Sequence, residues 1–97
     1  MTPTINADRL WQSIMAIARI GPTPEGGSNR MALTAEDTAA RALLLDWCKT
    51  LGLAFEQDAI GNMFLRRDGT DPAAHAVAFG SHLDTVPTGG QIGRAHV

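Results

Sequence analysis

The feature that most constrains the fold of this chain is the continuous apolar run Ala-Val-Ala-Phe-Gly at residues 76–80. The run has the length of a β-strand, and it lacks the polar alternation of a strand with one face in water. Such a pattern is typical of a central strand that is buried on both faces. We therefore expect the chain to form part of an α/β fold.

An amphipathic helix is predicted near the start of the chain, from about residue 6 to residue 20. Leu10, Ile14 and Ile17 are spaced to lie on one face of this helix. Asn6 or Asp8 can cap its first turn with a side-chain oxygen. The Gly-Pro dipeptide that follows ends it, because proline disfavours helical geometry in the residue before it.

A second helix is predicted to begin at Thr34, where Thr34 and Asp37 have the spacing of a capping box. Gly52 is expected to end this helix. The apolar positions between them recur at helical spacing and predict one buried face, formed by Ala40, Leu43, Leu44, Trp47 and Leu51.

Beyond Gly52 the hydrophobic period changes from that of a helix to that of a strand. Residues 53–57 (LAFEQ) and 62–67 (NMFLRR) predict two strands, which a turn at residues 58–61 separates. With the run at residues 76–80, the predicted order is two helices followed by three strands.

Composition excludes several classes of function. The 97 residues carry a net charge of −2, so no basic field would bind nucleic acid or an anionic membrane. Cys48 is the only cysteine, which rules out an internal disulfide and fits a reducing compartment. We expect one small domain or a piece of a larger one, in the cytoplasm, with no membrane partner and no nucleic-acid partner.

The candidate chemistry lies directly after the apolar run, at Gly80-Ser81-His82-Leu83-Asp84. Ligand sites in open α/β sheets lie beyond the carboxyl ends of strands. The imidazole of His82 suits Zn, Mn, Co or Ni, and Asp84 can fix its tautomer. A His-x-Asp sequence also arises often by chance, so spacing alone favours a purely structural histidine. Its position after the predicted buried strand and before a turn rich in proline and glycine makes the metal ligand and the structural histidine about equally supported.

Three stretches resemble one family. VAFGSHLDTVPTGGQ (residues 77–91) is similar to the first metal-ligand motif of the dinuclear M20-type metallopeptidase superfamily, and in particular of its amidase, hydantoinase and carbamoylase branch. GGSNRMALTAED (26–37) and LGLAFEQDAIGNMFLRRDG (51–69) resemble the glycine-rich loop and the hairpin of that branch. The branch includes N-carbamoyl-L-amino-acid hydrolases and allantoate amidohydrolases.

The resemblance implies a function and a site. His82 would be a ligand of one of two divalent metal ions (Zn, or Mn, Co or Ni), and Asp84 a carboxylate of the catalytic site that supports His82. The substrate would be a small N-carbamoyl or ureido acid, cleaved at a non-peptide C–N bond. A dipeptidase or N-acyl-amino-acid deacylase is the alternative. The complete protein would form a homodimer through a further domain.

The resemblance stops after Gln91. The family places a metal-bridging aspartate where this chain has Gly93, which has no side chain. Residues 92–97 (IGRAHV) instead match the translation of a common sequencing-adapter stretch. We therefore expect residues 1–91 to be the N-terminal portion of a truncated dinuclear zinc-peptidase-like catalytic domain, residues 92–97 to be a non-native tail, and the chain by itself to be inactive.

Overall fold

The computed structural model describes residues 3–90 of the chain. The elements follow in the order α1 (Ala7–Ala18), α2 (Ala35–Thr50), β1 (Ala54–Gln57) and β2 (Met63–Arg66). Two compact units are present. One comprises the described residues up to Ala40 together with those from Leu83 onward, and the other is Arg41–His82. The two helices and the small antiparallel sheet confirm the predicted α/β order through β2.

Helix α1 begins and ends close to its predicted limits. The side chain of Asn6 accepts a hydrogen bond of 3.0 Å from the backbone N–H of Arg9, which confirms Asn6 as the N-cap. At the other end, the N–H of Arg19 donates to the carbonyl of Ala16 at 3.3 Å, and the N–H of Ile20 donates to the carbonyl of Ile17 at 3.1 Å. The helix thus stops just before the loop that starts at Gly21.

The predicted capping box at the start of α2 is present. The hydroxyl of Thr34 accepts a hydrogen bond of 3.3 Å from the N–H of Asp37. The carboxylate of Asp37 reaches back and accepts one of 3.1 Å from the N–H of Leu33. Side chains therefore satisfy the N–H of Asp37 in the first turn of the helix and the N–H of Leu33 just before Thr34.

Helix α2 ends in a Schellman motif at the predicted glycine. Gly52 has a φ of 69°, and its N–H donates to the carbonyl of Lys49 at 3.1 Å. The N–H of Leu53 donates to the carbonyl of Cys48 at 3.0 Å. These two bonds satisfy carbonyls in the last turn, and the positive φ explains why a glycine stands here.

The buried residues of α2 differ in part from the predicted face. Ala40 and Cys48 are 0% and 1% exposed, which confirms Ala40 and shows Cys48 as a small buried hydrophobe. Leu51 is 67% exposed, so its assignment to this face was wrong. Leu51 lies one residue beyond the end of α2 at Thr50, although its N–H still donates to the carbonyl of Trp47 at 3.0 Å.

The predicted hairpin forms between β1 and β2, with Phe55 opposite Leu65 and Gln57 opposite Met63. Phe55, Met63 and Leu65 are half-buried, and the alternate positions are exposed. Half-buried and exposed residues thus alternate along the strands with a period of two, as expected when one face of a sheet is covered.

The turn between the two strands is ordered by Asp58. Its carboxylate accepts hydrogen bonds from the side-chain amide of Asn62 at 2.8 Å and from the N–H groups of Asn62 and Ile60 at 2.8 Å and 3.1 Å. The side-chain hydrogen bond from Asn62, and after it the backbone hydrogen bonds, hold the pKa of Asp58 below its ordinary value of 3.8. Gly61 completes the turn with a φ of 93°.

The prediction of a buried central strand at residues 76–80 is wrong for this chain. Within residues 3–90, β1 and β2 pair with each other, and no bridge involves residues 76–80. Val77 and Phe79 are 92% and 99% exposed. A central strand is buried by neighbouring strands and covering layers, and the described part of the chain supplies neither to this run.

The exposed apolar run at residues 76–80 is expected to lower the solubility of the chain. We expect Phe79→Lys to lower aggregation of the 97-residue chain severalfold, because an unpaired apolar segment is a template for pairing between copies. Light scattering at matched concentration measures this. Phe64→Lys is the control, since Phe64 is also exposed but lies in a paired strand. Both substitutions bring the net charge of −2 closer to zero, so charge alone would not improve solubility. Equal improvement by both variants would contradict a specific role for residues 76–80.

Candidate functional site

Two segments that resemble family motifs lie side by side in the first unit. We call residues 21–30 the glycine-rich loop and residues 83–90 the Asp84 segment. Ser28 and Gly89 form an antiparallel bridge, in which the N–H of Ser28 donates to Gly89 at 2.8 Å and the N–H of Gly89 donates to Ser28 at 2.9 Å. Residues about sixty positions apart in the sequence are thus joined by paired backbone hydrogen bonds.

Glycine is required at two positions of this pairing because the backbones approach closely. A Cβ on Gly89 would lie 2.8 Å from the carbonyl oxygen of Ser28 and 2.9 Å from the Cβ of Thr85. A Cβ on Gly21 would collide with the carbonyl oxygen of Asn29, and Gly21 also has a φ of 75°. The glycines of both motifs therefore have a packing role that their sequence spacing did not indicate.

Thr85 links the two segments through its side chain as well as its backbone. Its hydroxyl oxygen accepts a hydrogen bond of 2.8 Å from the N–H of Arg30. Its own N–H donates to the carbonyl of Arg30 at 2.8 Å. Sequence reasoning missed this role, because Arg30 lies 55 positions away from Thr85 in the sequence.

Arg30 is the charged residue at the centre of this arrangement, and it is only 7% exposed. Its Nε donates to the carbonyl of Leu83 at 2.9 Å. Its Nη1 donates to the carbonyls of Ile17 and Ile20 at 3.1 Å and 2.8 Å, at the end of α1. The sequence shows Arg30 within a stretch that resembles a family motif, but it does not show that this arginine is buried. Arginine is mostly exposed in proteins, so its structural role was not predicted.

The two predicted site residues belong to different compact units. His82 is exposed and is the last residue of the second unit, whereas Asp84 is half-buried and lies in the first. Among residues 3–90, no group of three or more His, Cys, Asp or Glu side chains could hold a metal ion. The donor chemistry of His82 and Asp84 fits one side of a metal site, and the described part of the chain does not complete it.

Gly93 and residues 92–97 lie outside the described residues, so the expected break in the metal motif stays a prediction. Neither α1 nor α2 has the length and apolar character that a membrane-crossing helix needs.

Comparison with known proteins finds close relatives, although no family model matches. The chain is 54% identical over 88 residues to an N-carbamoyl-L-amino-acid amidohydrolase from Rhizobium meliloti, covering 91% of this chain and 21% of that protein. It is 32% identical over 88 residues to a ureidoglycolate hydrolase from Arabidopsis thaliana, covering 91% of this chain and 18% of that protein.

A solved structure agrees with these relatives. The crystal structure of a hydantoinase/carbamoylase family amidase from Burkholderia ambifaria matches with a TM-score of 0.84 and 50% identity, over 90% of this chain and 22% of that one. In sequence and fold the chain is similar to amidases of the hydantoinase/carbamoylase family, and it spans about a fifth of the length of the relatives it matches.

Proposed function

We propose that the full-length protein containing this sequence hydrolyses a non-peptide C–N bond in N-carbamoyl-L-amino acids. The observation that carries the proposal is the 54% identity with a relative that has this named activity. The paired glycine-rich loop and Asp84 segment support it, because they give the two motifs a defined common structure. The homodimer and the cytoplasmic location stay predictions.

In this proposal His82 is a metal ligand and Asp84 supports it. His82 is exposed, and an imidazole nitrogen is a suitable ligand for a transition metal. Asp84 is half-buried in the Asp84 segment, where Arg30 and Thr85 hold the backbone on each side of it. Two divalent metal ions, when bound, would polarise the scissile carbonyl and lower the pKa of water. The remaining ligands and the proton-transferring residue would come from outside residues 3–90.

A second substrate class has a specific observation in its favour. The similarity to a ureidoglycolate hydrolase favours ureido acids related to allantoate as substrates of the same C–N bond chemistry. The lower identity of 32%, against 54% for the carbamoyl-specific relative, makes this the second candidate.

The 97-residue chain by itself is proposed to be inactive. Its described residues include no cluster of three metal-binding side chains. Zinc hydrolases use three protein ligands for a catalytic ion, so one histidine and one carboxylate are too few.

The test requires the complete gene, so the source DNA is first sequenced across codon 91. The full-length protein is then assayed with an N-carbamoyl-L-amino acid, with ureidoglycolate and with a dipeptide, before and after chelation. We expect the carbamoyl compound to be turned over fastest, and the activity to disappear with the metal and return when it is restored. Preferred cleavage of the dipeptide, or activity that survives complete metal removal, would contradict the proposal.

A further inference from the structure

We infer that Arg30 is a positioning residue for Asp84, acting through the backbone on both sides of it. The inference rests on the proposed function, since it concerns a residue of the same site. Arg30 lies in the glycine-rich loop, and its side chain and its backbone contact the two sequence neighbours of Asp84 separately.

The first contact is made by the guanidinium group. Its Nε donates to the carbonyl oxygen of Leu83 at 2.9 Å, on the N-terminal side of Asp84. The second contact is made by the backbone of Arg30, whose N–H donates to the hydroxyl of Thr85 at 2.8 Å and whose carbonyl accepts from the N–H of Thr85 at 2.8 Å. One residue therefore fixes the main chain immediately before and immediately after Asp84.

The guanidinium is itself held by the end of α1. Its Nη1 donates to the carbonyls of Ile17 and Ile20, just before and just after the end of α1 at Ala18. A cation is favoured at a helix C-terminus by the negative end of the helix dipole. Arg30 thus connects a rigid element to the Asp84 segment, which is what a positioning residue requires.

The chemistry of the contact requires arginine. Arg30 is 7% exposed, and its guanidinium donates to three carbonyl oxygens, those of Leu83, Ile17 and Ile20. The planar guanidinium presents its donors in a fixed fork, whereas the ammonium of lysine is a compact charge on a flexible stem. Arg30→Lys therefore keeps the charge near α1 but cannot keep the whole set of hydrogen bonds.

A purely structural role for Arg30, as a cap of α1, makes a different prediction from the positioning role. A cap supports only the stability of the helix, so its loss would lower the melting temperature and leave the folded enzyme unchanged. A positioning residue also sets the geometry of the metal site. Asn6→Ala is the matched control, because it removes the N-cap of the same helix and leaves the Arg30 contacts in place.

The experiment uses the full-length protein and its Arg30→Lys, Arg30→Met and Asn6→Ala variants. Each is stripped of metal, titrated with Co²⁺ and followed by the absorption spectrum of the bound ion, which reports ligand geometry without requiring turnover. Steady-state kinetics with an N-carbamoyl-L-amino acid are measured at a temperature where all variants are folded. We expect Arg30→Lys and Arg30→Met to change the Co²⁺ spectrum and to lower kcat at least about tenfold. Asn6→Ala should lower only the melting temperature.

The outcomes separate the two proposals. A wild-type protein that neither binds Co²⁺ nor cleaves the carbamoyl compound would overturn the proposed function. An active wild-type protein whose Arg30 variants keep its spectrum and kcat would overturn the role of Arg30 alone. An Asn6→Ala variant that loses kcat to the same extent would also overturn it, because loss of α1 stability would then be sufficient.

Discussion

Replacing His82 with alanine in the full-length protein is expected to lower kcat/KM for an N-carbamoyl-L-amino acid by at least about a hundredfold. The imidazole of His82 is the only side chain in the His-Leu-Asp motif suited to bind a transition metal through nitrogen. Its removal should also reduce the bound metal per subunit, measured by atomic emission after gel filtration. Asp84→Asn should have a smaller effect, between about tenfold and a hundredfold, because a supporting carboxylate acts through the ligand.

His75→Ala provides the matched control for His82→Ala. Both histidines are exposed, both belong to the second compact unit, and they flank the same apolar run. Only His82 belongs to the motif that resembles a metal site. Full activity and metal content in His82→Ala would remove His82 from the site. An equal loss in His75→Ala would show that the region tolerates no change, whatever its chemistry.

The local elements were predictable because their determinants lie within a few residues. Asn6 caps α1 through a residue three positions away, and Thr34 and Asp37 cap α2 over the same distance. Gly52 ends α2 because its φ is positive, and glycine adopts that conformation without steric cost. In each case one side chain, or its absence, decides the local geometry.

Burial was less predictable because it depends on neighbours that the sequence does not identify. The run at residues 76–80 has the composition of a buried strand, yet Phe79 is 99% exposed. The pattern describes what the segment requires, namely partners on both sides. The described residues supply only β1 and β2, which pair with each other. Composition therefore predicts that the segment is stable as a strand only when other strands and layers cover it. It does not show whether this chain contains them.

The candidate site was predictable only in part. Resemblance identified His82 and Asp84 as site residues, and those roles stay predictions. The structure added the pairing of Ser28 with Gly89 and the contacts of Arg30 with Leu83, which connect residues more than fifty positions apart. No periodicity or short motif encodes such pairs, because each partner is compatible with many others. The three-dimensional structure is needed to find them.

Gly21→Ala is expected to destabilise the glycine-rich loop by about 3 kcal/mol, which combines a cost of positive φ with a cost of steric overlap. The new Cβ would collide with the carbonyl oxygen of Asn29 and would lie 3.3 Å from the Cγ of Glu36. The Asn29 backbone cannot easily move away, because its N–H donates to the carbonyl of Gly21 at 2.7 Å. Hydrogen–deuterium exchange of the Asn29 amide measures the free energy of local opening.

Gly26→Ala separates the two costs. Gly26 lies in the same loop with a φ of 83°, and a Cβ there would meet nothing within 4 Å. This variant should be destabilised only by the cost of placing alanine at a positive φ, about 1 to 2 kcal/mol. The difference between the two variants then measures the overlap with Asn29 alone. If the two variants opened equally, the close approach at Gly21 would have no energetic consequence. The glycine would then be required there only for its backbone conformation.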